Sequence, residues 1–208
     1  MCTNTFLMKI ISVVFVLTSG LFFSQTAKTI PTDYRKIPEI LDTVDYLYPF
    51  VKPDKKYAYW KVLRNINDPE KAIIYESQMP DYMTINEPAP PQGFFQECVT
   101  ENCFSYVIAC KSERAEYFTN EQQLRDFIGS VDNISEALLV AKTYGYTFDS
   151  KNILGGSYKM ESDYFLLYLS KPKDCPAPKE SFFIRINKKT GKLEEKSNGL
   201  YKNDNCTQ

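Results

Sequence analysis

The chain has 208 residues, almost balanced charge (25 Lys+Arg against 26 Asp+Glu), six cysteines and no histidine. Without an imidazole, Ser-His-Asp and Cys-His nucleophile systems and His-ligated zinc or iron are excluded. A net charge of −1 argues against a nucleic-acid footprint, which needs a basic stripe.

Residues 1–24 read as a signal peptide. Lys9 is followed by an apolar run, Ile10 to Phe23, and small Ser24 offers a cleavage point, with Ala27 as the alternative. The run is shorter than the ~20 apolar residues of a membrane span and suits the ~7–15 of a leader. An uncleaved anchor is the other reading. A lipoprotein is excluded because Cys2 precedes the apolar run. The chain is therefore expected outside the cytoplasm, secreted or periplasmic, with no stable membrane span after cleavage.

Beyond the leader, Ile40, Leu41, Val44, Leu47 and Tyr48 recur at helical spacing before Pro49, which predicts a helix. Residues 55–66 alternate Tyr57, Tyr59 and Lys61 against Ala58, Trp60 and Val62, a strand pattern, and KAIIYE (71–76) is a second short strand. Asn67-Asp68-Pro69 between them is a turn signal. The segment 87–93, with three prolines, is the expected boundary between a unit at 25–90 and an α+β unit at 91–208.

Phe104–Cys110 predicts a strand and Ala115–Phe118 its hairpin partner. Asn120 and Gly129 bracket a helix, and a second runs from about Ser135 to Tyr144. Three strands follow, within NILGGSYKM, DYFLLYLSK and ESFFIRIN. YFLLYL is apolar on both alternations, as a central strand covered on both faces would be. KKTG (188–191) then turns the chain into a last strand, KLEEK. The expected fold class is α+β: an antiparallel sheet packed by two or three short helices.

In an oxidising compartment the five later cysteines are disulfide candidates. The polar surroundings of Cys98, Cys103, Cys175 and Cys206 favour Cys98–Cys103 and Cys175–Cys206, with Cys110 a buried thiol at the end of a strand. Other pairings remain open. The Cys98/Cys103/Cys110 spacing does not match a zinc knuckle, and no metal or cofactor is expected. Ser170-Lys-Pro-Lys173 with Lys189-Thr-Gly191 imitates a penicillin-binding pattern. Pro172 blocks the helical turn that would bring lysine to serine. No phosphate cradle is present, since Gly155-Gly156 lacks a following Lys-Ser/Thr.

The segment 134–195, with ISEALLVAKTYGY, GGSYKM, YFLLYLS and FFIRINKKTGKLEE, resembles a PepSY-type domain, a small extracytoplasmic module of a helix followed by an antiparallel meander. The insert KPKDCPAPKE departs from that family's compact hairpin. The resemblance implies no catalytic residue; it implies peptide binding or restraint of a secreted protease.

The function expected from these observations is non-catalytic binding or inhibition of a peptide or protein partner in the envelope or medium. The terminal strand 192–196, centred on Leu193, is the expected recognition edge. An alternative is carbohydrate binding through Tyr57, Tyr59 and Trp60, whose rings carry a large apolar face and a polar tip. A third reading is a carboxylate-based hydrolase, for which Glu113, Glu116, Asp132, Glu194 and Glu195 are the acids available.

Overall fold

A computed structural model describes residues 27–66, 68, 72–83, 88–96, 103–111, 114–171 and 178–203. The leader, Cys98, Cys175 and Cys206 lie outside the described residues.

Among the described residues the architecture is α+β, with two antiparallel sheets and two short helices. The first sheet, in the order β3-β2-β4-β5, comprises β2 (Tyr59–Arg64), β3 (Ile73–Glu76), β4 (Ser105–Cys110) and β5 (Ala115–Phe118). The second, in the order β1-β6-β7-β8-β9, comprises β1 (Arg35–Lys36), β6 (Gly156–Met160), β7 (Tyr164–Ser170), β8 (Pro178–Asn187) and β9 (Leu193–Asn203). The helices are α1 (Glu121–Ile128) and α2 (Ile134–Thr143). Strand β2, before the Pro-rich segment, pairs in full with β4, after it, from Tyr59↔Cys110 to Arg64↔Ser105. That segment therefore joins two parts of one sheet.

Both helices begin where a side-chain amide satisfies backbone donors that a helix start leaves orphaned. Asn120 Oδ1 accepts from Gln123 N at 2.9 Å. Asn133 Oδ1 accepts from Glu136 N at 3.0 Å, and Glu136 Oε2 accepts from Asn133 N in return, a capping box. Gly129 stops α1 at φ 67°, a conformation that costs glycine little.

A single core joins the two sheets and the helices. Trp60, Val62, Val107, Ala109 and Phe118 come from one sheet and Phe165, Leu167, Leu169, Ile184 and Ile186 from the other, with Leu124 and Phe127 of α1 and Leu138 and Leu139 of α2. Helix α2 is buried at seven successive positions, Ser135 to Ala141, as expected for a helix apolar on nearly every side. A second cluster, Tyr59, Phe104, Tyr106, Ile108 and Cys110 with Met79 and Met83 against it, covers the opposite face of β4. Cys110 is a buried thiol and Cys103 is disulfide-bonded.

The helix expected over residues 40–48 does not form. Three 3-10 turns stand there instead: Glu39–Asp42, Val44–Tyr46 and Tyr48–Phe50. Thr43 is extended (φ −89°, ψ 122°), which breaks any helical ladder between the first and second turns. Pro49 has no N–H to continue one. Leu41, Leu47 and Tyr48 are buried, whereas Ile40 and Tyr46 are exposed, so the apolar spacing did not define a single buried face. The last strand also runs further than KLEEK, reaching Asn203 through irregularities opposite Lys179/Glu180 and Ser181/Phe182.

Candidate functional site

Strand β9 is the outermost strand of its sheet. The hairpin feeding it is set by Asn187, whose Oδ1 accepts from the backbone of Lys189 and Thr190, and by Gly191 at φ 64°. The register Ile186↔Leu193, Arg185↔Glu194 and Ile184↔Glu195 follows. Leu193 consequently faces inward and packs half-buried against the core, while Glu194 faces the other side beside Arg185 at 3.7 Å.

Glu195, on the core side, accepts a hydrogen bond from the hydroxyl of buried Tyr146 and one from Lys171 Nζ at 3.4 Å. The Lys171 ammonium lies 4.4 Å from the Tyr146 ring centroid and 5.3 Å from that of Phe182, a cation–π arrangement. These contacts anchor the middle of β9 from beneath.

The free edge of β9 already makes backbone hydrogen bonds to another segment of the same chain. Ala27 N donates to Leu200 O at 2.6 Å and Lys28 N to Asn198 O at 3.1 Å. Asn198 Nδ2 closes the contact by donating to Lys28 O at 3.1 Å. Among the described residues, no other backbone segment bonds to that edge between Leu193 and Ser197. An unpaired row of backbone N–H and C=O groups is a template for an extended segment.

The three aromatic candidates do not share a surface. Tyr59 and Trp60 are buried, and their rings lie in different clusters on opposite faces of β2. Trp60 packs 4.4 Å from Tyr75 and 5.2 Å from Phe127, and the Tyr59 hydroxyl donates to Glu76. Tyr57 is half-buried, stacked 5.7 Å from Phe127, with its hydroxyl donating to Glu116 at 3.0 Å. Desolvation first, and then Glu116, push the Tyr57 phenol up to about 12. These rings build the core, because alternation on a central strand sends successive side chains to two covered faces.

Nor are the carboxylates gathered. Glu113 lies outside the described residues, Glu116 is held by Tyr57, and Glu194 and Glu195 face opposite sides of β9. Asp132 precedes α2, where Glu136 is the acid of note. Glu136 is fully buried and accepts from Lys52 N at 2.8 Å, Asp132 N at 2.6 Å and Asn133 N at 3.2 Å. Desolvation raises its carboxyl above the ordinary value, and the three backbone N–H groups oppose that rise. Its geometry is that of a clip joining the segment after the 3-10 turns to α2.

The other face of the β1–β9 sheet holds aromatic contacts that the sequence reading passed over. Tyr34 packs 5.0 Å from Tyr168, and Tyr168 packs 5.4 Å from Phe183. The Arg185 guanidinium lies 3.6 Å from the Tyr164 ring centroid. A pocket also lies beneath the 3-10 turns, lined by Leu41, Val44, Leu47, Leu138, Phe148 and Leu169, among others. The helix expected there gave no sign of it.

Among the described residues, no helix is long and apolar enough to cross a membrane, and no group of three or more Cys, Asp or Glu is placed to hold a metal ion. No family model, curated protein or solved structure matches this chain.

Proposed function

We propose that this protein is an exported, non-catalytic binding module that takes an extended peptide segment of a partner protein onto the free edge of β9, at Leu193–Ser197. The observation that carries the reading is the pairing of Ala27 and Lys28 with Asn198 and Leu200. These bonds bring backbone N–H groups of the chain's own early segment against carbonyls of the same edge. A partner strand would take the stretch that this segment leaves open.

Glu194 and Lys196 suit such a role. Charged side chains on an edge discourage indiscriminate pairing while leaving the backbone accessible to a partner of complementary sequence. The helix-then-meander order of residues 134–203 is also the feature on which the resemblance to PepSY-type domains rests, and peptide binding is what that resemblance implies.

The test uses proline at two consecutive positions. Along an edge strand, backbone N–H groups alternate between the neighbouring strand and the free side. Of Glu194→Pro and Glu195→Pro, one therefore removes a bond to β8 and the other an outward donor. Peptides selected from a displayed random library against the whole chain are titrated while the backbone amides are followed by NMR. We expect perturbation centred on residues 193–197, and loss of binding in the proline variant that keeps its thermal midpoint. Selected peptides that shift amides elsewhere, and bind both folded variants unchanged, would refute the edge.

A further inference from the structure

The chain contains a single Asn-Gly pair, Asn198-Gly199. In such a pair the glycine backbone nitrogen can attack the asparagine amide carbon, because glycine carries no side chain to hinder the approach. The fold places this pair at an irregular point of β9. Gly199 pairs with Ser181 and Ser197 with Phe182, so Asn198 has no partner in the ladder, as at a β-bulge. Gly199 stands at φ 103°, and its N–H makes a long bond, 3.3 Å, to Ser197 Oγ. Asn198 is half-exposed, which lets water reach the side chain.

The Asn198 side chain is also a clasp. Its Nδ2 donates to Lys28 O at 3.1 Å and to Ser181 Oγ at 3.2 Å. A carbonyl can only accept, so the group facing Lys28 O must be the NH2. Ser181 Oγ has one proton and gives it to Leu154 O at 2.5 Å. A carboxylate at this position would therefore meet two acceptors where the amide donates to both. The segment held by the clasp is fastened again further on, where Tyr34 packs 5.0 Å from Tyr168 and β1 pairs with β6. Undoing the clasp frees one end of it.

We propose that Asn198 is a site of spontaneous deamidation, and that its conversion unfastens Ala27 and Lys28 from β9. The Gly199 nitrogen bonds to Asn198 Cγ while the Cγ–Nδ2 bond breaks. Nδ2 leaves as ammonia, carrying the proton that the Gly199 nitrogen gives up. Water then opens the cyclic imide at either carbonyl, giving aspartate or isoaspartate, with no oxidant or reductant involved. Aspartate loses both Nδ2 bonds. Isoaspartate also adds a methylene to the main chain, which carries Leu200 O out of register with Ala27 N. The closed clasp holds Nδ2, so conversion proceeds from locally opened molecules and traps them open; strand edges open in this way at low cost. Conversion and release do not depend on what β9 binds, and neither measurement below involves a peptide ligand.

The whole chain is aged in mildly alkaline buffer and digested with trypsin, and the fragment 197–202 is followed by mass and by isoaspartate methylation. Asn198 should convert before any other asparagine, and faster as pH rises, since the attacking nitrogen must lose its proton. Lys28→Pro, which removes the N–H donated to Asn198 O, should convert faster than wild type. Solvent exchange of the Ala27 and Lys28 amides, read by NMR, should quicken about fivefold in Asn198→Asp, the factor equivalent to ~1 kcal/mol of lost hydrogen bonding. The same exchange is read on wild type aged to partial conversion, so the outcome does not hang on the folding of the variant. Another asparagine converting first, or Lys28→Pro converting no faster than wild type, would overturn the proposal. So would unchanged exchange in the converted protein.

Discussion

The two sheets use aromatic and aliphatic residues in opposite ways. In the β2–β5 sheet, β4 is buried at all six positions. One of its faces packs against Phe127 and the helices and the other against Met79 and Met83. In the β1–β9 sheet the inner face is equally buried, but the outer face keeps Tyr164, Tyr168, Phe183 and Arg185 only half-covered. The edges differ as well. The outer strands of the first sheet, β3 and β5, are four residues each, whereas the second sheet ends in two-residue β1 on one side and eleven-residue β9 on the other. A sheet whose central strand is covered on both faces and whose edges are both short is suited to scaffolding. A sheet with a half-open face and a long edge is where recognition has room to occur.

The sharpest way to break this contrast is to truncate one ring in each sheet. Trp60→Ala should cost about 3–5 kcal/mol, the range for emptying a large aromatic site in a core, as read by urea denaturation. Tyr168→Ala should cost only about 1 kcal/mol, the scale of a partly exposed aromatic pair. Comparable losses would show that the outer face of the β1–β9 sheet is core after all.

Glu136 tests whether the 3-10 turns are fastened to the helical layer. Glu136→Ala leaves three backbone donors without their acceptor and should cost about 2–3 kcal/mol. The pH dependence has a definite sign. A carboxyl raised in the folded state favours the protonated form there, so its contribution is fully present below the ordinary 4.5 and is lost as pH rises through the folded value. Glu136→Gln cannot titrate. The stability difference between wild type and Glu136→Gln should therefore slope across the window just above 4.5, and a flat difference would contradict the raised carboxyl.

The smallest effect expected is at the start of α1. Asn120→Ala removes one cap bond and should lower stability by about 1 kcal/mol, with no effect on peptide binding at β9. A loss of that binding would mean that the scaffold and recognition regions are more tightly coupled than their packing implies.

Much of the second half of the chain was legible from residues alone. Asn120 and Gly129 mark the boundaries of α1 through a bond and a backbone angle that those residue types favour locally, whereas the capping box at Asn133, one residue before the second helix, was not read. The apolar runs in 105–110 and 164–170, and the hairpin partner at 115–118, were read as strands. The position of β9 as an edge was anticipated from its charges. The first half was less legible: five apolar residues at helical spacing became three 3-10 turns. The extended Thr43 and the placement of Leu41 and Leu47 over α2 and β7 outweighed a local preference worth only tenths of a kcal/mol per residue.

Local chemistry thus determined the α+β class, the caps of α1 and most of the strands, because each depends on residue type and on neighbours a few positions away. Tertiary structure alone decided that Tyr59 and Trp60 are interior, that residues 27–28 bond to β9, that Glu136 clips residue 52 to α2, and that a pocket lies beneath the 3-10 turns. Those features join residues tens of positions apart. Their energies come from burial and pairing after the chain has closed on itself, and no periodicity in the sequence records them.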